Sequence, residues 1–291
     1  MNGWFRASSL LVAVMFASGC NAQETTDSKR TKEQSLVIAA FNLDASRVQA
    51  LLADGATPNT RLGFYDDELF QDKWTLGYSP IGSDKWTPLM AVAHSHRAPQ
   101  PEKKAENTVE GLDAARAKMN AIDPQLIVKR NKLRVQIAKM LVAANVDLNV
   151  DDGYGCTALS AAVYNKFDEL SLLLISAGAK INTKTGIYID GDGDITPMHD
   201  ATKSPRVLQS LIKHGGNVNV SDTSGDTPLH WAVRSRNAKS VDLLIKAGAR
   251  IGAKDNEGRL PSYWCQTYEN DFPGDGQKKK IAKLLQAASK D

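Results

Sequence analysis

The stretch GDTPLHWAV, Gly225 to Val233, decides how this sequence is read. Its histidine stands one residue before a tryptophan in a helix-forming context. Such a histidine serves either as a catalytic or metal-binding group or as a device of the fold. Thr227 is suited to cap a helix through its hydroxyl, and Pro228 to the first helical position, where a missing N–H costs nothing.

The same window recurs. EQSLVIAA begins at Glu33, WTPLMAVA at Trp86, CTALSAAV at Cys156, ITPMHDAT at Ile195, DTPLHWAV at Asp226 and RLPSYWCQ at Arg259. Each precedes an apolar helical segment with a similar ending: VQALLADGATPN, IAKMLVAANVDLN, LSLLLISAGAKIN, LQSLIKHGGNVN, VDLLIKAGARIG and IAKLLQAASKD. In four of the six units a Thr (Thr87, Thr157, Thr196, Thr227) is placed to cap the first helix. Pro88, Pro197 and Pro228 open it. Leu36, Leu89, Leu159, Met198 and Leu229 point inward, and Ala39, Ala162, Ala201 and Ala232 keep the helix thin. Leu51-Leu52, Leu173-Leu174 and Leu243-Leu244 supply the second helix, which stops at Gly55, Gly178, Gly215 and Gly248, with Asn145 in that place in the second unit.

This pattern resembles the ankyrin repeat in its Thr-Pro-Leu-His box, the alanines behind it and the Leu-Leu, Gly-Ala and Asn ending. The resemblance runs from Gln34 to the C-terminus. It implies an all-α solenoid of about six helix-pair units with connecting β-hairpin loops, stabilised by stacking of units that cannot bury their apolar faces alone. The position of His230 is held by His199 in one unit but by Val37, Met90, Ser160 and Tyr263 in the others. The resemblance therefore makes both imidazoles fold devices bonded to nearby backbone.

Window spacings of 53, 70, 39, 31 and 33 residues stand against a repeat period of about 33. Three intervals carry insertions, two of them long. The first, about 61–85, holds Phe64, Tyr65, Phe70, Trp74 and Tyr78 and reads either as a satellite core or as a recognition finger anchored by Tyr65 and Trp74. The second, about 94–132, separates the two helices of its unit. Asp123-Pro124 then starts a helix running to about Ala143 that projects beyond the stack or leans on a neighbour. The third, about 183–194, is a lengthened hairpin. Its Asp190, Asp192 and Asp194 suggest a calcium loop, but Ile195 stands where that loop needs glycine and Ala201 where it needs glutamate. A polar turn is expected.

The first residues, MNGWFRASSLLVAVMFASGCNAQ, combine Arg6 with an apolar stretch, Leu10 to Ala17, too short to span a bilayer. They read as a signal peptide, residues 1–19. Ala17-Ser18-Gly19-Cys20 resembles a bacterial lipobox, which implies lipidation of Cys20. Asn21 in place of aspartate favours the outer membrane. Residues 20–33 are polar and read as a tether, followed by the repeat domain, 34–291. The expected location is the bacterial periplasm, with membrane contact only through the N-terminal lipid.

With 42% hydrophobic and 24% charged residues and a formal net charge of +3, the composition is that of an ordinary soluble chain without a nucleic-acid stripe. No catalytic motif, cofactor loop or metal set is expected. His94 and His96 lie two apart and do not share a helical face. Cys156 and Cys265, three units apart, are too distant for a disulfide. Cys156 is expected to be exposed, and Cys265 to fill a buried alanine slot.

The resemblance implies a protein-binding module without catalysis. The positions that matched repeats use for binding are Tyr154, Tyr164, Asn165, Lys203, Thr223, Ser224, Arg234 and Ser235. Trp231 is either the main anchor or packed against Asp200 or the next unit. The partner expected is another protein. It is a toxic effector neutralised by an immunity protein or, alternatively, a resident periplasmic enzyme served by a scaffold. An enzyme or ion-binding protein working through the insertions is the rival from another class.

Overall fold

The computed structural model describes residues 30–62, 86–95, 124–186, 193–267 and 276–289. The signal peptide, Cys20, Tyr65, Trp74, His96, Asp190 and Asp192, with most of the first two insertions, lie outside the described residues.

Among the described residues six helix pairs follow one another. They are α1 (Lys32–Asn42) with α2 (Ala45–Ala53), α3 (Pro88–His94) with α4 (Pro124–Ala143), and α5 (Ala158–Tyr164) with α6 (Asp168–Ser176). Next come α7 (Pro197–Asp200), continued by a 3-10 turn at Ala201–Lys203, with α8 (Pro205–Lys213); then α9 (Pro228–Arg234) with α10 (Ala238–Lys246), and α11 (Tyr263–Thr267) with α12 (Gly276–Ala288). The first helices pack in the row α1, α3, α5, α7, α9, α11, and the second helices in the row α2, α4, α6, α8, α10, α12. Substantial contacts reach only within a unit or to its neighbours, so stability is a sum of units and the interfaces between them. This is the helical solenoid that the repeat resemblance implied. The expected hairpins are reduced, among the described residues, to single antiparallel bridges at Leu62–Trp86, Asp151–Thr157 and Thr185–Ile195.

The caps explain why these segments are helices. Thr31 and Gln34 form a capping box, so α1 starts ahead of the expected boundary at residue 34. The Thr87 hydroxyl accepts from Met90 N–H and that of Thr157 from Ser160 N–H. Leu36, Leu89, Leu159, Met198 and Leu229 are buried, and the Ala162, Ala201 and Ala232 slots are sealed; each buried leucine contributes about 1.5–3 kcal/mol. Each of the second helices α2, α4, α6, α8 and α10 ends by turning left-handed, at Gly55, Asn145, Gly178, Gly215 and Gly248. The following N–H returns to a carbonyl near the helix end, as Ala249 to Leu244 at 2.9 Å.

An asparagine ladder, beyond what the repeat ending alone predicts, fastens successive units. Asn219 donates to Gly248 O (3.1 Å) and accepts from Arg250 N–H (2.8 Å). Asn182 does the same with Gly215 O and Asn217 N–H, and Asn59 with Asn145 O and Asp147 N–H.

The 20-residue α4 is about 30 Å long. Ile137, Ala138 and Leu141 of its second half are buried between α2 and α6, while Leu126, Ile127 and Val128 near its start are exposed. Arg134 is buried, bonded to Ser95 and Asn131 and stacked 3.9 Å over Phe167. No helix among the described residues is long and apolar enough to cross a membrane.

Both cysteine expectations need correction. Cys156 is buried: its sulfur lies 3.9 Å from His94 Nε2 and 3.6 Å from Ser160 Oγ, because the turn before α5 folds against α3. Cys265 is only half-buried, since α11 is flanked by a single first helix. Neither Cys156 nor Cys265 is in a disulfide.

Candidate interaction surface

His230 lies fully buried at the start of α9. Its Nδ1 accepts from Thr227 N–H at 3.1 Å, which fixes the remaining proton on Nε2, and Nε2 donates to Arg259 O in the next unit at 3.2 Å. His199 repeats the arrangement with Thr196 N–H and Asp226 O, both at 3.1 Å. Burial lowers the His199 pKa, with nearby Asp222 opposing, and keeps the ring neutral. Each imidazole is a bolt between units, as the repeat box implied.

The His94 Nε2 lies 3.9 Å from the Cys156 sulfur. The His94 ring stacks on Trp86 with centroids 4.5 Å apart, and burial lowers its pKa to about 4. Among the described residues no group of three or more His, Cys, Asp or Glu is placed to hold a metal ion.

The aspartates before the first helices organise the turns. Asp222 Oδ1 accepts from Ser224 and Asp226 N–H, and Asp255 Oδ1 accepts from Glu257 and Arg259 N–H. The second oxygen of Asp222 takes the Trp231 indole N–H at 2.9 Å. The tryptophan thus has its polar edge engaged, and its half-buried ring lies 5.6 Å from that of His199. Arg234 lies 5.2 Å from that ring and Lys203 6.0 Å. Arg234 also lies 5.3 Å from the Trp264 ring and pairs with Asp226 at 3.0 Å. Arg259 continues the series, 5.1 Å from Trp264 and 5.6 Å from Tyr263. A ladder of alternating cations and aromatic rings therefore runs along the first helices of the last three units.

The expected binding residues divide on this frame. Lys203, Trp231 and Arg234 belong to the ladder. Tyr154 and Tyr164 are exposed, 46% and 37%, two units upstream. Thr223 and Ser224 sit at the tip of the hairpin before α9. The Thr223 hydroxyl accepts from Gly193 N–H and Ser224 O from Asn256 N–H, so both fasten adjacent tips. Asn165 donates to Ala93 O (3.2 Å) and Ala161 O (3.0 Å), tying its unit to the preceding one. The Ser235 hydroxyl donates to Ala232 O. These last two are engaged inside the fold.

Sequence reasoning missed Trp264, Arg259 and Tyr263, although Trp264 holds the repeat position of Trp231. Asp200, named from the sequence only as a packing partner of Trp231, holds that position one unit earlier. Asp200 is 8% exposed, and burial pushes its carboxyl up to about 7 against the opposing charge of Lys203.

Comparisons with known proteins agree with this geometry. Residues 187–255 match the model of ankyrin repeats in three copies. Human Rabankyrin-5 is 29% identical over 99 residues, covering 31% of this chain and 8% of its own length. The mouse B-cell lymphoma 3 protein homolog is 36% identical over 92 residues, covering 31% of this chain and 19% of its own. This chain thus spans under a fifth of either relative. A solved ankyrin repeat domain from Acinetobacter baumannii AYE superimposes with a TM-score of 0.58 at 20% identity, covering 87% of this chain and 97% of that one. By its fold this protein is an assembly of stacked helix pairs. The repeats within residues 187–255 match ankyrin repeats, and the array around them has the fold of an ankyrin repeat domain.

Proposed function

We propose that this protein is a non-catalytic interaction module of the bacterial envelope, lipidated at Cys20, that grips another protein across the first-helix face of its last three units. Within that reading it acts as an immunity protein that neutralises a toxic effector working in the periplasm. The single observation that carries the docking surface is the ladder Lys203, Trp231, Arg234, Trp264, Arg259 and Tyr263. Tryptophan, tyrosine and arginine are the side chains that contribute most to protein interfaces when they lie in one cluster.

The test is recovery of partners from envelope extracts by the purified protein and by a Lys203→Gln, Tyr263→Ala variant, both sites being exposed. A control variant carries Leu126→Ser and Ile127→Ser on α4. Loss of the partner in the first variant, by about tenfold or more, with retention in the second, is expected. Equal recovery by all three overturns the docking surface. A toxic envelope enzyme as the recovered partner supports the immunity reading, and a resident enzyme replaces it by the scaffold reading. Lipidation is checked by loss of radiolabelled palmitate on Cys20→Ser.

A further inference from the structure

The position of Trp231 in successive first helices is held by Ile38, Ala91, Ala161, Asp200, Trp231 and Trp264. A carboxylate in that column is out of keeping with its neighbours. Asp200 is more than nine-tenths buried, and among the described residues no hydrogen-bond donor reaches it. Neither oxygen is sealed, since the orphaned atoms with no solvent contact do not include them. Lys203, one turn on, acts on it through its field without an ion pair. Its ammonium instead stands 6.0 Å over the Trp231 ring. A buried carboxylate without a hydrogen-bond donor opposes folding, and among the described residues only the field of Lys203 offsets it. Ala91 and Ala161 show that the helix row needs no carboxylate here.

From these observations, and resting on the docking surface above, we propose that Asp200 is the receptor for one cationic side chain, an arginine or lysine, of the partner protein. The carboxylate supplies charge-assisted hydrogen bonds, Trp231 in the adjacent helix supplies an aromatic face for the cation, and Ala161 on the other side leaves room for its stem. The interaction fixes where the partner docks, because a neutral side chain there leaves the carboxylate buried and unsatisfied.

The probes are acetylated, amidated pentapeptides of glycine with a central arginine, lysine or glutamine. Binding to the full chain is read from the Trp231 indole N–H resonance, assigned with Trp231→Phe. The arginine and lysine peptides are expected to bind about tenfold tighter than the glutamine peptide. Asp200→Asn is expected to erase the preference, and Lys203→Gln, which removes the competing cation, to enlarge it. Equal binding of all three peptides by the unaltered protein overturns the proposal, as does a preference that survives Asp200→Asn. Failure here with partner recovery still lost in the Lys203, Tyr263 variant leaves the docking surface standing. A cation preference with unchanged recovery condemns only the docking surface.

Discussion

Replacing Asp200 by alanine is expected to stabilise the protein, and to do so only where the carboxyl is ionised in the unfolded chain. Its pKa in the fold is about 7 against an ordinary 3.8. Below the unfolded value both states carry the proton, and the group contributes no pH dependence. Between the two values the unfolded chain releases its proton while the folded one holds it, so stability falls as pH rises. Above the folded value the loss is complete. A separation of about 3 units at 1.36 kcal/mol each sets the loss at ~4 kcal/mol. Alanine already fills the equivalent positions 91 and 161, so removal of the carboxyl leaves a slot that the helix row tolerates. Urea unfolding of Asp200→Ala and the unaltered chain, each at pH 4 and pH 8, gives the difference directly. The variant is expected to gain about 2–4 kcal/mol at pH 8 and to stay within ~1 kcal/mol at pH 4. A variant that is destabilised at pH 8, or whose effect is the same at both pH values, refutes the account of a desolvated, unpartnered carboxylate.

Other groups respond in their own ways. His94 has its pKa lowered to about 4 from 6.5, so the stability it contributes is present above 6.5 and is lost as pH falls towards 4. His94→Gln is expected to flatten the acid limb of the stability curve by about 2–3 kcal/mol, read by acid titration of the melting temperature. Asn219→Ala removes two bonds to the next unit and is expected to cost about 1–2 kcal/mol in urea melts, less than the burial of any core leucine. Gly155→Ala puts a Cβ into the Lys184 carbonyl at a φ of +81° and is expected to cost about 2–4 kcal/mol by thermal melting. His230→Leu cuts the bolt to Arg259 O. Amide exchange in residues 276–289 is expected to accelerate about tenfold or more, with little change in α2.

What could be read from the sequence follows from what a repeat encodes. Thr87, Pro88, Gly178 and His230 each act within their own unit or on the unit next to it, and the box states those roles in its residue order. The environments that escaped depend on which unit lies alongside. Cys156 looks like a turn residue until α3 is placed against it. Asn165 looks like a surface amide until Ala93 O stands in reach. Asp200 has the polarity of a surface residue, and only the packing of α5 and α9 on either side of α7 takes it out of water. Trp231 was flagged as an anchor, yet its bond to Asp222 and its place between two cations required coordinates. The long helix from Pro124 was legible from its proline and periodicity, whereas the burial of Arg134 was not.

The imidazole bolts are confined to one end of the array. His199 fastens the fourth unit to the fifth and His230 the fifth to the sixth, while Val37 and Met90 hold the equivalent places near the start and Ser160 spends its hydroxyl on its own cap. The leading interfaces instead rest on apolar packing and on the amides of Asn59 and Asn165. A change of pH that charges either imidazole bolt therefore acts on the trailing joints and leaves the leading ones untouched.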